Sequence, residues 1–176
     1  MLQVFTGNGR GKTSAALGTA LRAAGARKKV AWIAFDKGGE GHYSERSIIR
    51  QRLPQIKLFI TGLDRMDLKT GKFRMGVTAG DRTEGKRGLA LARKILREKK
   101  FDLLVLDEIN SSAAVGMVKA SDVLALLKRR PENLEVILTG RNAPKAFMKI
   151  ANLVTDMKLV KHYFYGRVKA RKGFDY

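Results

Sequence analysis

The chain has 176 residues with 44% hydrophobic content, no cysteine, and 36 Lys and Arg against 16 Asp and Glu, a formal net charge of +20. That length and apolar content point to one globular domain over residues 1–176 and exclude a disordered chain, while the missing cysteines exclude a disulfide framework and any thiolate metal site. No apolar run approaches the ~18 residues of a membrane span, and the chain enters an apolar strand at once without a secretory leader, so a cytoplasmic protein without membrane contact is expected.

Leu2 to Phe5 reads as a short buried strand, followed by a loop with Gly7, Gly9 and Gly11, then Lys12, Thr13 and an alanine-rich helix. Glycines let backbone N–H groups converge on an anion with no Cβ in the way, and the helix start adds its positive dipole end. Lys12 then supplies a point charge for phosphates and the Thr13 hydroxyl an oxygen for Mg²⁺ or Mn²⁺. The phosphate cradle therefore spans Gly7, Asn8, Gly9, Arg10, Gly11, Lys12, Thr13 and Ser14. It is a variant P-loop, because in the G-x-x-x-x-G-K-[ST] register the first glycine position is Thr6.

Beyond the loop, Ala16, Leu17, Ala20, Leu21 and Ala24 share a helical face, and Gly25 stops the helix. Lys29 to Phe35 is a near-continuous apolar run, suited to a parallel strand covered on both sides, with Trp32 in the core. The glycine-rich, polar stretch Asp36 to Ser44 sits past that strand's carboxyl end, where open α/β sheets bind ligands. Glu45 to Arg52 is a short helical pattern, Ile56 to Ile60 a strand, and Thr61 to Gly80 an irregular stretch of the kind that is functional or mobile.

Helical spacing returns over Asp81 to Lys100, with Leu89, Ala92, Ile95 and Leu96 inside and a basic outer face. Phe101 to Glu108 is an apolar strand ending in Asp107 and Glu108, the Walker B pattern whose acid tip holds Mg²⁺ near the loop threonine. An amphipathic helix over Ser121 to Arg130 ends at Pro131, and Leu134 to Leu138 is another buried strand. Arg141 follows it, either as a bidentate phosphate clamp or as a surface arginine opening a loop. A helix over Ala143 to Ala151 and a strand over Val154 to Leu159 complete the alternation, which predicts a P-loop α/β fold of the RecA-like kind, a three-layer sandwich around a mostly parallel sheet.

The tail, 158–176, interleaves Lys158, Lys161, Arg167, Lys169, Arg171 and Lys172 with Tyr163, Phe164, Tyr165, Phe174 and Tyr176. Such a segment can stack on single-stranded nucleic acid or fold back over the site. The overall basicity attracts polyanions in general and needs no nucleic-acid partner. His42 and His162 belong to no base-and-nucleophile pair and read as structural, which leaves phosphate and metal binding without a general base.

Taken together, Thr6 to Thr13 with Ala15-Ala16-Leu17-Gly18, Phe35 to Gly38 with Glu45-Arg46, Leu106 to Asn110, Val136 to Arg141, and the tail pieces Leu159 to His162 and Val168 to Gly173 resemble the ATP:corrinoid (cob(I)alamin) adenosyltransferases of the CobA/BtuR type. The resemblance implies that Co(I) of a reduced corrinoid attacks the 5′ carbon of ATP and triphosphate leaves. It further implies that Asn8, Gly9, Gly11, Lys12, Thr13 and Ser14 hold the triphosphate, that Thr13 and Glu108 with Asp107 hold Mg²⁺, and that Arg141 contacts the nucleotide. Lys12, Phe73 and Arg141 are the expected catalytic residues, a homodimer the expected assembly, and a flavodoxin-like protein the expected reductant. The family's Phe-Thr-Trp segment stands here as Phe73-Arg74-Met75, so Phe73 is the one corrinoid-side aromatic that carries over.

Overall fold

The computed structural model describes residues 1–39, 43–66 and 74–175. Six strands, β1 (Leu2–Thr6), β2 (Val30–Ala34), β3 (Ile56–Ile60), β4 (Leu103–Asp107), β5 (Glu135–Thr139) and β6 (Leu153–Asp156), form one sheet in the order β3-β2-β4-β5-β1-β6. Every pairing is parallel. The helices are α1 (Lys12–Gly25), α2 (Glu45–Arg52), α3 (Ala79–Glu98), α4 (Ile109–Ala114), α5 (Ala120–Lys128) and α6 (Lys145–Ile150). The α/β sandwich read from the alternation of strands and helices is the fold observed.

Successive residues of a strand face opposite sides, and here both sides are apolar because both are covered. Leu104 and Leu106 of β4 enter one core with Leu89, Ala92 and Ile95 of α3 and Val123 and Leu127 of α5. Leu103 and Val105 enter the other with Ala16, Ala20 and Ala24 of α1 and Trp32 of β2. The alanines recur every fourth residue, so α1 meets the sheet along a stripe with no bulky side chain. Leu21 lies off that stripe and is 52% exposed, contrary to its expected place on the buried face.

One further expectation changes, and one helix has no counterpart in the sequence reading. The last strand ends at Asp156 instead of continuing to Leu159, because the chain leaves the sheet at Met157 and its carbonyl accepts a hydrogen bond from Gly9 N–H at 2.5 Å. As the outer strand of the sheet it is exposed throughout. Helix α4 gives no periodic signal in six residues, and tertiary contacts hold it: Ile109 and Asn110 are fully buried, and Asn110 Nδ2 donates to Phe5 O at 3.2 Å and Gly140 O at 3.4 Å. Among the described residues no helix is long and apolar enough to cross a membrane.

Two arginines pin the described residues on either side of 67–73. Arg65 pairs with Asp36 at 2.6 Å and donates to Gly76 O at 2.6 Å. Arg74 grips the fully buried Asp81 with both nitrogens, at 2.9 and 2.7 Å. Asp81 also closes a capping box with Thr78 at the start of α3, which is why that helix begins at Ala79, ahead of the apolar periodicity. The Arg74 guanidinium, opposed by burial and assisted by the Thr78 N–H and hydroxyl, holds the Asp81 carboxyl well below the usual carboxylate range. A depressed folded-state value stabilises fully above the unfolded value and the gain is lost as pH falls through that range. Asp81→Asn is expected to cost about 1–3 kcal/mol in urea unfolding at pH 7, and its stability should fall less steeply than the wild type's between about pH 5 and pH 2.

Candidate active site

The carboxyl edge of the sheet gathers the chemistry, and the loop after β1 comes first. Gly7 and Gly11 take φ values of 96° and 110°, conformations that side chains resist. Gly9 answers a different need: a Cβ there would sit 2.5 Å from Met157 O, as would one on Gly7. The chain leaving β6 thus crosses hard against the loop, which accounts for glycines at 7 and 9 with Thr6 still in the strand. Thr6 keeps a hydroxyl of use there, since its Oγ1 accepts from Ala143 N–H at 3.0 Å.

Lys12 opens α1 and bends back into the loop, donating to Gly7 O at 2.8 Å and Gly9 O at 2.6 Å. Burial lowers its pKa, Arg141 lowers it further, and Glu108 and Asp156 oppose the shift. The first turn of α1 contains no acidic residue, so the amide end of the helix faces the loop uncompensated.

Opposite the loop stands the acid pair at the end of β4, and its two members differ. Asp107 is buried; its Oδ1 accepts from Thr13 Oγ1 at 2.9 Å and Thr139 Oγ1 at 2.6 Å, and its Oδ2 from Lys37 Nζ at 2.6 Å. Glu108 turns outward in a left-handed conformation, φ 61°, hydrogen-bonded to Ser111, and its side chain lines the cavity. A hydroxyl and two carboxylates beside a phosphate cradle are hard oxygen donors that suit Mg²⁺, which leaves its other positions to water and phosphate. Among the described residues no three His, Asp or Glu side chains cluster to hold a metal unaided.

A cavity of about 780 Å³ opens at this edge. Asn8, Arg10, Lys12, Thr13, Ser14, Lys37, Glu108 and Arg141 line one part of it, while His162, Tyr163, Phe164, Phe174 and Asp175 of the tail line another. Asp175 ties the tail down: it accepts from the Tyr163 hydroxyl and from Arg171 N–H at 2.9 Å, and it lies 3.4 Å from Arg10 Nη2. A 3-10 turn at Tyr163–Gly166 is capped by His162, whose Nδ1 accepts from Phe164 N–H at 3.0 Å.

Of the candidate site residues, Asn8 to Ser14, Glu108 and Arg141 line the cavity together, and Asp107 is hydrogen-bonded to Thr13. Phe73 lies outside the described residues, as do Glu40 and His42. Lys37 escapes the sequence: it carries a Lys-Gly signal at a strand's carboxyl end, but nothing in the sequence directs it toward Asp107. His162 has the structural place expected of it, capping the 3-10 turn, and it also lines the cavity. The crossing at Met157 predicts that Gly9→Ala loses about 1–3 kcal/mol of stability by overpacking. Gly18→Ala, where a Cβ on α1 meets nothing within 4 Å, should instead gain up to ~1 kcal/mol. Chemical denaturation of both nucleotide-free variants measures the contrast.

The family model described as ATP:corrinoid adenosyltransferase BtuR/CobO/CobP matches residues 1–176. The corrinoid adenosyltransferase of Escherichia coli K12 is 35% identical over 173 residues, covering 98% of this chain and 84% of that protein. Corrinoid adenosyltransferase CobA of Salmonella typhimurium is 34% identical over the same shares of the two chains. That of Pseudomonas aeruginosa PAO1 is 31% identical over 100% of this chain and 83% of its own. Among solved structures, the RadB recombinase aligns with a TM-score of 0.46 and 24% identity over 80% of this chain and 60% of that one. With its whole length matched and with Asn8 to Ser14, Glu108 and Arg141 lining one cavity, the chain belongs to the ATP:corrinoid adenosyltransferase family.

Proposed function

We propose that this transferase moves the 5′-deoxyadenosyl group of ATP to Co(I) of a reduced corrinoid. The cobalt electron pair attacks C5′, the C5′–O bond breaks with its electrons on the departing oxygen, triphosphate leaves, and cobalt becomes formally Co(III). The observation that carries this reading is the convergence of Lys12, Arg141, Arg10 and the amide end of α1 on one cavity. A leaving group that gathers charge on three phosphates needs cations already in place, and such preorganised electrostatics is commonly the largest catalytic contribution. Co(I) is nucleophilic as it arrives, so the chain's work is to position the reactants and stabilise the leaving charge.

In this reading Gly7 to Ser14 wrap the triphosphate, with Lys12 its principal charge and Arg141 a bidentate clamp. Thr13 and Glu108, with Asp107, would hold Mg²⁺, or Mn²⁺, which when bound neutralises part of the phosphate charge. Asp107 orients Thr13 from behind through the hydrogen bond between them. The tail, 158–176, closes the single domain over the cavity and excludes water from it, and Phe73 meets the corrinoid. A homodimer in the cytoplasm, served by a flavodoxin-like reductant, completes the proposal.

The test is anaerobic incubation of the protein with chemically reduced cobalamin, Mg²⁺ and ATP, following loss of the Co(I) spectrum together with the phosphate product. Triphosphate is expected in step with Co–C bond formation, and Lys12→Ala should lower the rate at least about 100-fold, the scale of losing one key charge-stabilising donor. Orthophosphate without alkylated corrinoid would overturn the reading in favour of an ATPase acting on nucleic acid. ATP binding with neither product would leave an inactive nucleotide-binding module.

A further inference from the structure

Lys37 has no part in the transfer as described, yet its ammonium lies in the midst of the oxygen donors assigned to the metal. Its Nζ is 2.6 Å from Asp107 Oδ2, 3.2 Å from Thr13 Oγ1 and 4.0 Å from Glu108 Oε1. Both ends of the pair are enclosed, with side-chain exposures of 11% for Lys37 and 2% for Asp107. Burial alone would discharge such a lysine, but Asp107 and Glu108 more than offset it and hold its pKa above the ordinary value.

The root of this side chain is fixed by backbone and arginine contacts. Lys37 N–H donates to Thr61 O at 3.1 Å, and Arg46 donates to the carbonyls of Lys37 and, at 2.6 Å, of Gly39. The four-carbon stem leads from that clamp into the cavity, within reach of the phosphate loop on the far side of Thr13. A divalent ion and an ammonium cannot share one set of three oxygens, since like charges about 3 Å apart repel strongly even where water screens them.

We propose that Lys37 is a tethered cation that occupies the metal position of the nucleotide-free protein, holding Thr13, Asp107 and Glu108 in place, and that a divalent ion entering with the nucleotide displaces it onto the phosphates. Lys37 is then a positioning residue, and the inference rests on the reading of Thr13, Asp107 and Glu108 as the metal's oxygen donors. The consequence is linkage: the metal alone binds poorly because it must evict a charge that has nowhere better to go, whereas phosphates give that charge a partner. Metal and nucleotide therefore favour each other's binding by the same factor.

Mn²⁺ is the probe, its free concentration read by electron paramagnetic resonance as nucleotide-free full-length protein is added. Lys37→Met should bind one Mn²⁺ per chain at least about tenfold more tightly than wild type, and Mn²⁺ should raise its melting temperature while leaving that of the wild type unmoved. Lys37→Gln, whose amide can still donate to Asp107, should show the same gain and guards against a folding defect. Lys37→Arg, which keeps the charge, should exclude Mn²⁺ as the wild type does. Adding Asp107→Asn to Lys37→Met should abolish the gain.

Equal Mn²⁺ affinity in wild type, Lys37→Met and Lys37→Gln would overturn the proposal, as would a gain that survives Asp107→Asn. The wild type with ATP and Mn²⁺ separates the two layers of the argument. Enhanced relaxation of water protons by a ternary complex, with no gain in the Lys37 variants, would overturn this inference and leave the metal assignment standing. No ternary complex in any of the proteins would overturn both.

Discussion

Asp107 is a carboxylate buried at the centre of a parallel sheet's edge, and everything around it is arranged to make that burial tolerable. An unpaired charge in such a place costs far more than the margin of stability of a domain this size. Three donors from three elements meet it: Thr13 from α1, Thr139 from β5, and Lys37 from the end of β2. Thr139 also accepts from the Glu108 backbone N–H at 3.0 Å, so one hydroxyl spans both acids. The register that places Ala34 opposite Asp107 sets the height at which Lys37 emerges. Removing any of these partners leaves a charge partly unsatisfied in low dielectric, so the carboxyl edge holds together as a unit.

That unit explains a division of labour within the acid pair that adjacent letters in a sequence cannot express. Asp107 is engaged through both oxygens by side chains of neighbouring elements, and Glu108 is released toward the cavity by a backbone turn that most residues avoid. The left-handed conformations at Asp36, Glu108 and Asn142 all fall just beyond the ends of β2, β4 and β5. Sparsely populated backbone of this kind concentrates where side chains must be aimed at a ligand, and Glu108 among them lines the cavity.

Much of this was legible because it rests on local signals. Strand periodicity, the Lys12-Thr13 pair after a glycine loop and the acid tip of β4 each follow from what neighbouring residues do to a backbone. Helix α3 was legible from Leu89, Ala92, Ile95 and Leu96, although its first turn is set by the Thr78 cap and not by the apolar pattern. What stayed hidden depends on residues far apart in the chain. Leu21 shares a helical face with the alanines on a wheel, yet a stripe of small residues decides which part of that face meets the sheet. Helix α4 exists because Asn110 bonds across to Phe5 and Gly140. Lys37 is one lysine among many until the sheet order sets β2 beside β4.

The placement of Gly7 and Gly9 has a consequence for how this loop can be moved or inherited. Its glycines answer to a backbone about 150 residues downstream, the crossing at Met157, rather than only to the anion they surround. Residues 6–13 and the segment leaving β6 therefore form a single cassette made of two distant pieces. A chimera that transplants the loop alone onto another α/β scaffold keeps the flexibility of the glycines and loses the wall that shapes them. One that carries both pieces carries the cradle intact.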